Sequence, residues 1–115
     1  MIAASAYAFV TGKKVAGVYD HLEKRDLRIA AEAKGDQLQG FDGDRSAKFA
    51  GTLPELYDGG DNAFVSFELD GTKVRGYDRR TSTAYEANVI DLRVQVYDHG
   101  PNEWFAFEIR NTTSA

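Results

Sequence analysis

Five of the eleven Asp residues directly follow an aromatic residue: Tyr19-Asp20, Phe41-Asp42, Tyr57-Asp58, Tyr77-Asp78 and Tyr97-Asp98, at intervals of 22, 16, 20 and 20 residues. A period near 20 is what a hairpin of two short strands and its turns occupies. Three of the stretches leading into these Asp residues nearly superimpose, 37–42 (QLQGFD), 73–78 (KVRGYD) and 93–98 (RVQVYD), and 16–20 (AGVYD) is a looser match. In the three close matches one face carries Leu38, Gly40 and Asp42; Val74, Gly76 and Asp78; and Val94, Val96 and Asp98. The opposite face carries Gln and basic residues and ends in Phe41, Tyr77 or Tyr97. That is the period-two alternation of a half-buried strand. Glycine weakens a strand interior, so Gly40 and Gly76 make room for a close neighbour or mark a bulge.

Each Asp is followed by a turn-like stretch, at 21–26, 43–46, 59–62, 79–82 and 99–102, where a carboxylate can accept from nearby backbone N–H groups. A second β-type run then begins, at 27–33, 47–52, 63–69, 83–89 and 104–109, and Asp70-Gly71 is a strong hairpin signal. Residues 21–33 hold good helix formers, yet Leu22, Asp26 and Ile29 make no apolar stripe. No other window supports apolar spacing at i, i+3, i+4 and i+7. The reading is all-β: a single-domain antiparallel meander of about nine or ten short strands in a closed or partly closed β-barrel, with a two-sheet sandwich as the alternative. One domain is expected over 1–115, with 1–12 as a loosely ordered N-terminal segment.

The 115 residues carry a net charge of −4 and no Cys. The missing Cys removes disulfides, thiolate metal sites and Cys nucleophiles, and fits a reducing compartment. The apolar start of the chain lacks the basic residues of a signal peptide, and no run of about 18 apolar residues is present. A cytoplasmic protein without a membrane span is expected. Residues 1–57 are charge-balanced and 58–115 carry the whole excess of −4, so neither half has the footprint of a nucleic-acid binder.

Several residues are candidates for function. His21 and His99 both end a Val-Tyr-Asp-His run, and in a closed meander Asp20, His21, Asp98 and His99 could converge on a metal ion. Without such convergence, each His simply caps a solvated turn. Lys73, Arg75, Tyr77 and Arg79 share one strand face, which Arg93, Gln95 and Tyr97 could extend into a surface for single-stranded nucleic acid. The acidic balance disfavours that partner, and Lys or Arg beside Tyr is also an ordinary outward strand face. Trp104 lies beside a turn and is a candidate exposed contact, whereas Phe105, Phe107 and Ile109 read as core. The turns at 42–44 and 58–62 space oxygen ligands closely without completing a calcium loop.

No nucleophile elbow, glycine-rich phosphate loop or zinc-protease motif is present. Asp20, Asp42, Asp78 and Asp98 at a barrel mouth could act as acid and base if they crowd one another. The expectation is a non-enzymatic module for a small ligand or protein partner, with no cofactor. The ligand-contacting candidates are Arg75, Tyr77, Arg93, Tyr97 and Trp104. A small enzyme using strand-end Asp and His groups is the first alternative and a single-stranded nucleic-acid binder the second. Outward Tyr77 and Tyr97 would also suit a homodimer face.

Overall fold

A computed structural model describes residues 2–110 and, for the backbone, 112–114. The chain opens with helix α1 (Ile2–Thr11) and continues as β1 (Lys13–Val15), β2 (Val18–Asp20), β3 (Arg25–Leu27), β4 (Ile29–Lys34), β5 (Gln37–Asp42), β6 (Ala47–Thr52) and β7 (Glu55–Asp58). There follow β8 (Ala63–Ser66), β9 (Glu68–Asp70), β10 (Lys73–Asp78), β11 (Thr83–Ile90), β12 (Arg93–Asp98), β13 (Glu103–Ile109) and β14 (Thr112–Ser114). All belong to one antiparallel sheet in the order β14, β1, β4, β5, β6, β7, β8, β10, β11, β12, β13, β2, β3, with β9 also paired to β10. The all-β meander is therefore observed, and a single sheet excludes the two-sheet sandwich.

Among the described residues there are more strands than the nine or ten expected. The excess comes largely from interruptions within continuous arms: β2 continues β1 beyond Ala16 and Gly17, β4 continues β3 beyond Arg28, and β9 continues β8 beyond Phe67. The same continuity explains the curvature. β1 and β4 lie near one end of the sheet order and β2 and β3 at the other, yet these four strands make up the two arms of one hairpin, so the sheet curls strongly on itself as a partly closed barrel. Pairing of Ile109 with Val18, and the Arg110 N–H donating to the Gly17 carbonyl at 2.9 Å, bring the last hairpin back to the first. The expected inward faces hold: Leu38, Val74, Val94 and Val96 are buried, while Phe41 and Tyr77 point outward. A Cβ on Gly40 would run into the Phe49 ring, and one on Gly76 into the Ser66 carbonyl and the Tyr85 hydroxyl, so both glycines admit a close neighbour.

The main correction concerns the first twelve residues, expected to be loosely ordered. Ile2–Thr11 form α1, which packs against β1, β4, β5, β10, β11 and β12, strands drawn from different parts of the curled sheet. Ala3, Ala4, Ser5, Ala6, Tyr7 and Ala8 are all buried. A helix buried on every side shows no apolar stripe, which is why periodicity does not reveal it. Gly12, at φ 72°, ends it in the left-handed conformation, and the Thr11 hydroxyl donates to the Tyr7 carbonyl at 2.7 Å. Residues 21–33, rich in helix formers, are instead a turn followed by β3 and β4.

The five aromatic–Asp segments end in one repeated turn. Oδ1 of Asp20, Asp42, Asp58, Asp78 and Asp98 accepts from the N–H two residues on, at 2.9, 3.0, 3.0, 2.9 and 2.8 Å. The residue four positions after each Asp, namely Lys24, Ser46, Asn62, Ser82 and Asn102, has φ between 51° and 57°. The N–H immediately after each Asp donates to a carbonyl on a neighbouring arm of the sheet, as from His99 to Ala84 at 3.0 Å and from His21 to Ala106 at 3.1 Å. Five copies of this geometry bring five strand ends to the same end of the barrel.

Two outcomes follow from this packing. Ala6→Leu, which adds bulk to a fully buried helix face, should cost about 1–3 kcal/mol in denaturant unfolding. Lys24→Gly should raise stability by up to about 1 kcal/mol, because a side chain at φ 55° is strained where glycine is not.

Candidate functional site

A cavity of about 380 Å³ opens at the barrel end where the five aromatic–Asp strands finish, and all five Asp residues line it. Its inner end is the first turn of α1, at Ile2, Ala3 and Ala4. Its walls include Val18, Leu27, Ile29, Val65, Tyr85, Val96, Phe105 and Phe107. The barrel interior is thus filled by the helix and hollow at the mouth. Phe105 and Phe107, expected as core, are half-buried wall residues, while Ile109 is core. The site combines an apolar body, a carboxylate rim and the positive end of a helix dipole.

The rim is not uniform. Arg45, three residues after Asp42, donates from Nε to Asp42 Oδ2 at 2.7 Å and from Nη2 to both oxygens of Asp58 at 3.1 Å. Its Nη1 lies 3.3 Å from Asp61, which also meets Arg80 at 3.2 Å. The Asp42 and Asp58 side chains are only 9% and 5% exposed, against 35% for Arg45. Burial works against the Arg45 charge, but the hydrogen bonds to Asp42 and Asp58 outweigh it and hold the guanidinium above its ordinary pKa. A Cβ on Gly60 would lie 2.6 Å from Arg45 Nη1, so glycine there clears the space for this clamp.

Asp20, Asp78 and Asp98 are placed differently. Each satisfies its own turn through Oδ1, and among the described residues none of the three has an ion-pair partner. Arg25 lies across from Asp20 in register, but its Nε is held by Glu23 at 2.8 Å. Burial, with a smaller contribution from Asp78, pushes the Tyr85 phenol far above its ordinary range, so it stays neutral, and its hydroxyl donates to the Ser66 carbonyl at 2.6 Å.

The four residues considered for a metal divide. Asp20 and Asp98 line the cavity; His21 and His99 do not, each packing edge-on against its own Tyr, Tyr19 at 4.9 Å and Tyr97 at 4.8 Å. Among the described residues no group of three or more His, Asp or Glu side chains is placed to hold a metal ion. Of the outer-face candidates, Tyr97 and Trp104 meet at 4.9 Å, and Trp104 is 62% exposed. Register aligns Arg75, Glu86, Tyr97 and Trp104 across β10–β13, so an acidic residue sits between the arginine and the aromatics. Tyr77 lies opposite Ala84 and Arg93 opposite Glu108, outside this row.

Sequence reasoning missed Arg45 and the contribution of Ile2–Ala4. Arg45 had a readable signal: it is the only basic residue among the five positions three after each repeated Asp, the others being Glu23, Asp61, Thr81 and Pro101. The helix had none, for the reason given above. Fold and site together define an antiparallel, helix-filled barrel with an acidic mouth. The chain matches no protein-family model, no curated protein and no solved structure.

A double-mutant cycle with Arg45→Met and Asp58→Asn should give a coupling of about 1–3 kcal/mol in unfolding free energy, since Arg45→Met leaves the buried Asp58 carboxylate without its partner, whereas Asp58→Asn leaves Arg45 held by Asp42 and Asp61. Additivity of the two changes would remove Arg45 as the organiser of the rim.

Proposed function

We propose that this protein is a non-enzymatic binding module that takes a small ligand into the mouth of its barrel. The single observation that carries this reading is the apolar-walled cavity over the first turn of α1, with a volume within the usual range for small-molecule sites. Carboxylates around its rim supply the few polar groups that orient a ligand. An acid–base enzyme at the same mouth has less support, because neither His lines it.

The outer-face row has less support as a nucleic-acid surface, since Glu86 and Glu108 interrupt its basic residues. Exposed Trp104, with half-buried Tyr97 beside it, remains the natural place for a protein partner or a second copy. Among the described residues no helix is long and apolar enough to cross a membrane. Together with the absence of Cys, this supports the proposal of a cytoplasmic location.

A fragment screen read by two-dimensional amide NMR tests the reading. Binders should shift Ala3, Ala4, Val96, Phe105 and Phe107 together, and Val96→Trp, which fills the cavity, should abolish those shifts. Binders that cluster only around Trp104, or an unresponsive mouth, would overturn it.

A further inference from the structure

The Arg45 clamp has a geometric copy elsewhere on the rim that the chain leaves without a cation. Asp42 pairs with Ala47 and Asp58 with Phe49, the two Asp residues flanking β6. Asp78 pairs with Thr83 and Asp98 with Tyr85, flanking β11. In both cases the first Asp faces the residue five positions on, and the second faces the residue seven positions after the first. The likeness extends inward: Gly40 against Phe49 is matched by Gly76 against Tyr85. It extends outward too, since Gly60, two residues after Asp58, is matched by Gly100, two residues after Asp98.

The two clamps differ in occupancy. At the position three after the first Asp, one has Arg45 and the other has Thr81, whose hydroxyl is bonded to Thr83 at 2.7 Å. The Asp42–Asp58 pair demonstrates what two such carboxylates hold at this register: a guanidinium, at 2.7–3.1 Å. The Asp78–Asp98 pair opens on the same cavity beside Val96, Tyr85, Phe105 and Phe107. Resting on the reading of the mouth as a ligand site, we propose that Asp78 and Asp98 bind the guanidinium or ammonium group of an organic cation whose apolar body occupies the cavity. The ligand stands in for an arginine at position 81, since Arg79 and Arg80 of this turn are paired with Glu55 and Asp61. Planar, bidentate donors suit a paired carboxylate best, so a guanidinium is favoured over an ammonium.

The test uses the whole chain and three probes of similar shape: benzylguanidinium, benzylammonium and neutral benzyl alcohol, titrated by amide NMR at low salt. Benzylguanidinium should bind at least about tenfold more tightly than benzyl alcohol, shifting Arg80, Thr83 and Gly100 as well as the cavity walls. Asp78→Asn with Asp98→Asn keeps the Oδ1 acceptor of each turn, and should remove the preference for the cations while leaving benzyl alcohol binding in place. Thr81→Arg, placed to supply an internal guanidinium as Arg45 does, should abolish benzylguanidinium binding without loss of stability. Equal affinity for cation and alcohol, or a preference that survives the Asn variant, would overturn the cation inference and leave the mouth as a ligand site. Failure of all three probes to perturb the mouth would overturn both.

Discussion

The rest of the molecule depends on α1 lying inside the curled sheet. A barrel of about ten arms encloses more space than its own inward side chains can fill, and an unfilled interior forfeits dispersion contacts on every wall. Ala3, Ala4, Ser5, Ala6 and Ala8 let strands from different sides approach the helix backbone, and Tyr7 is the one large side chain among the six buried residues. The dependence is mutual. A ten-residue helix is too short to persist alone in water, so the barrel makes the helix as much as the helix fills the barrel.

The cavity lies at the end of the barrel next to the first turn of α1. The helix begins at Ile2, and the space beyond its first turn is bounded by strand ends that each finish in Asp. Every one of these carboxylates serves its turn through one oxygen; Asp42 and Asp58 also hold Arg45. Arg45 bridges the two most buried members, Asp42 and Asp58. Pairing with arginine is uneven around the rim: Asp42 and Asp58 share Arg45, while among the described residues Asp20, Asp78 and Asp98 have no ion-pair partner.

Much of the fold was legible in the residues. The alternation in 37–42, 73–78 and 93–98 marked the inward faces correctly because a strand's side chains must alternate, whatever it packs against. The aromatic–Asp pairs marked turn starts because the carboxylate–amide contact is local, spanning two residues. Strand number was underestimated because the runs 27–33 and 63–69, continuous in residue pattern, are broken at Arg28 and Phe67. Of the candidate site, the gathering of Asp residues at strand ends was legible, but the split between clamped and unclamped members was not. It depends on Arg45 crossing from one hairpin to the next.

By itself, then, the sequence determined the elements whose causes lie within a few residues: the alternating strands, the five carboxylate-capped turns and the absence of any Cys-based chemistry. Only the tertiary structure decided that the first residues form a helix, that this helix is the core, and that five Asp residues separated by 16 to 22 positions share one cavity. The physical reason is the same in each case. Closure of the sheet brings distant strands around a common axis, and what lies on that axis is selected by volume and charge rather than by local pattern.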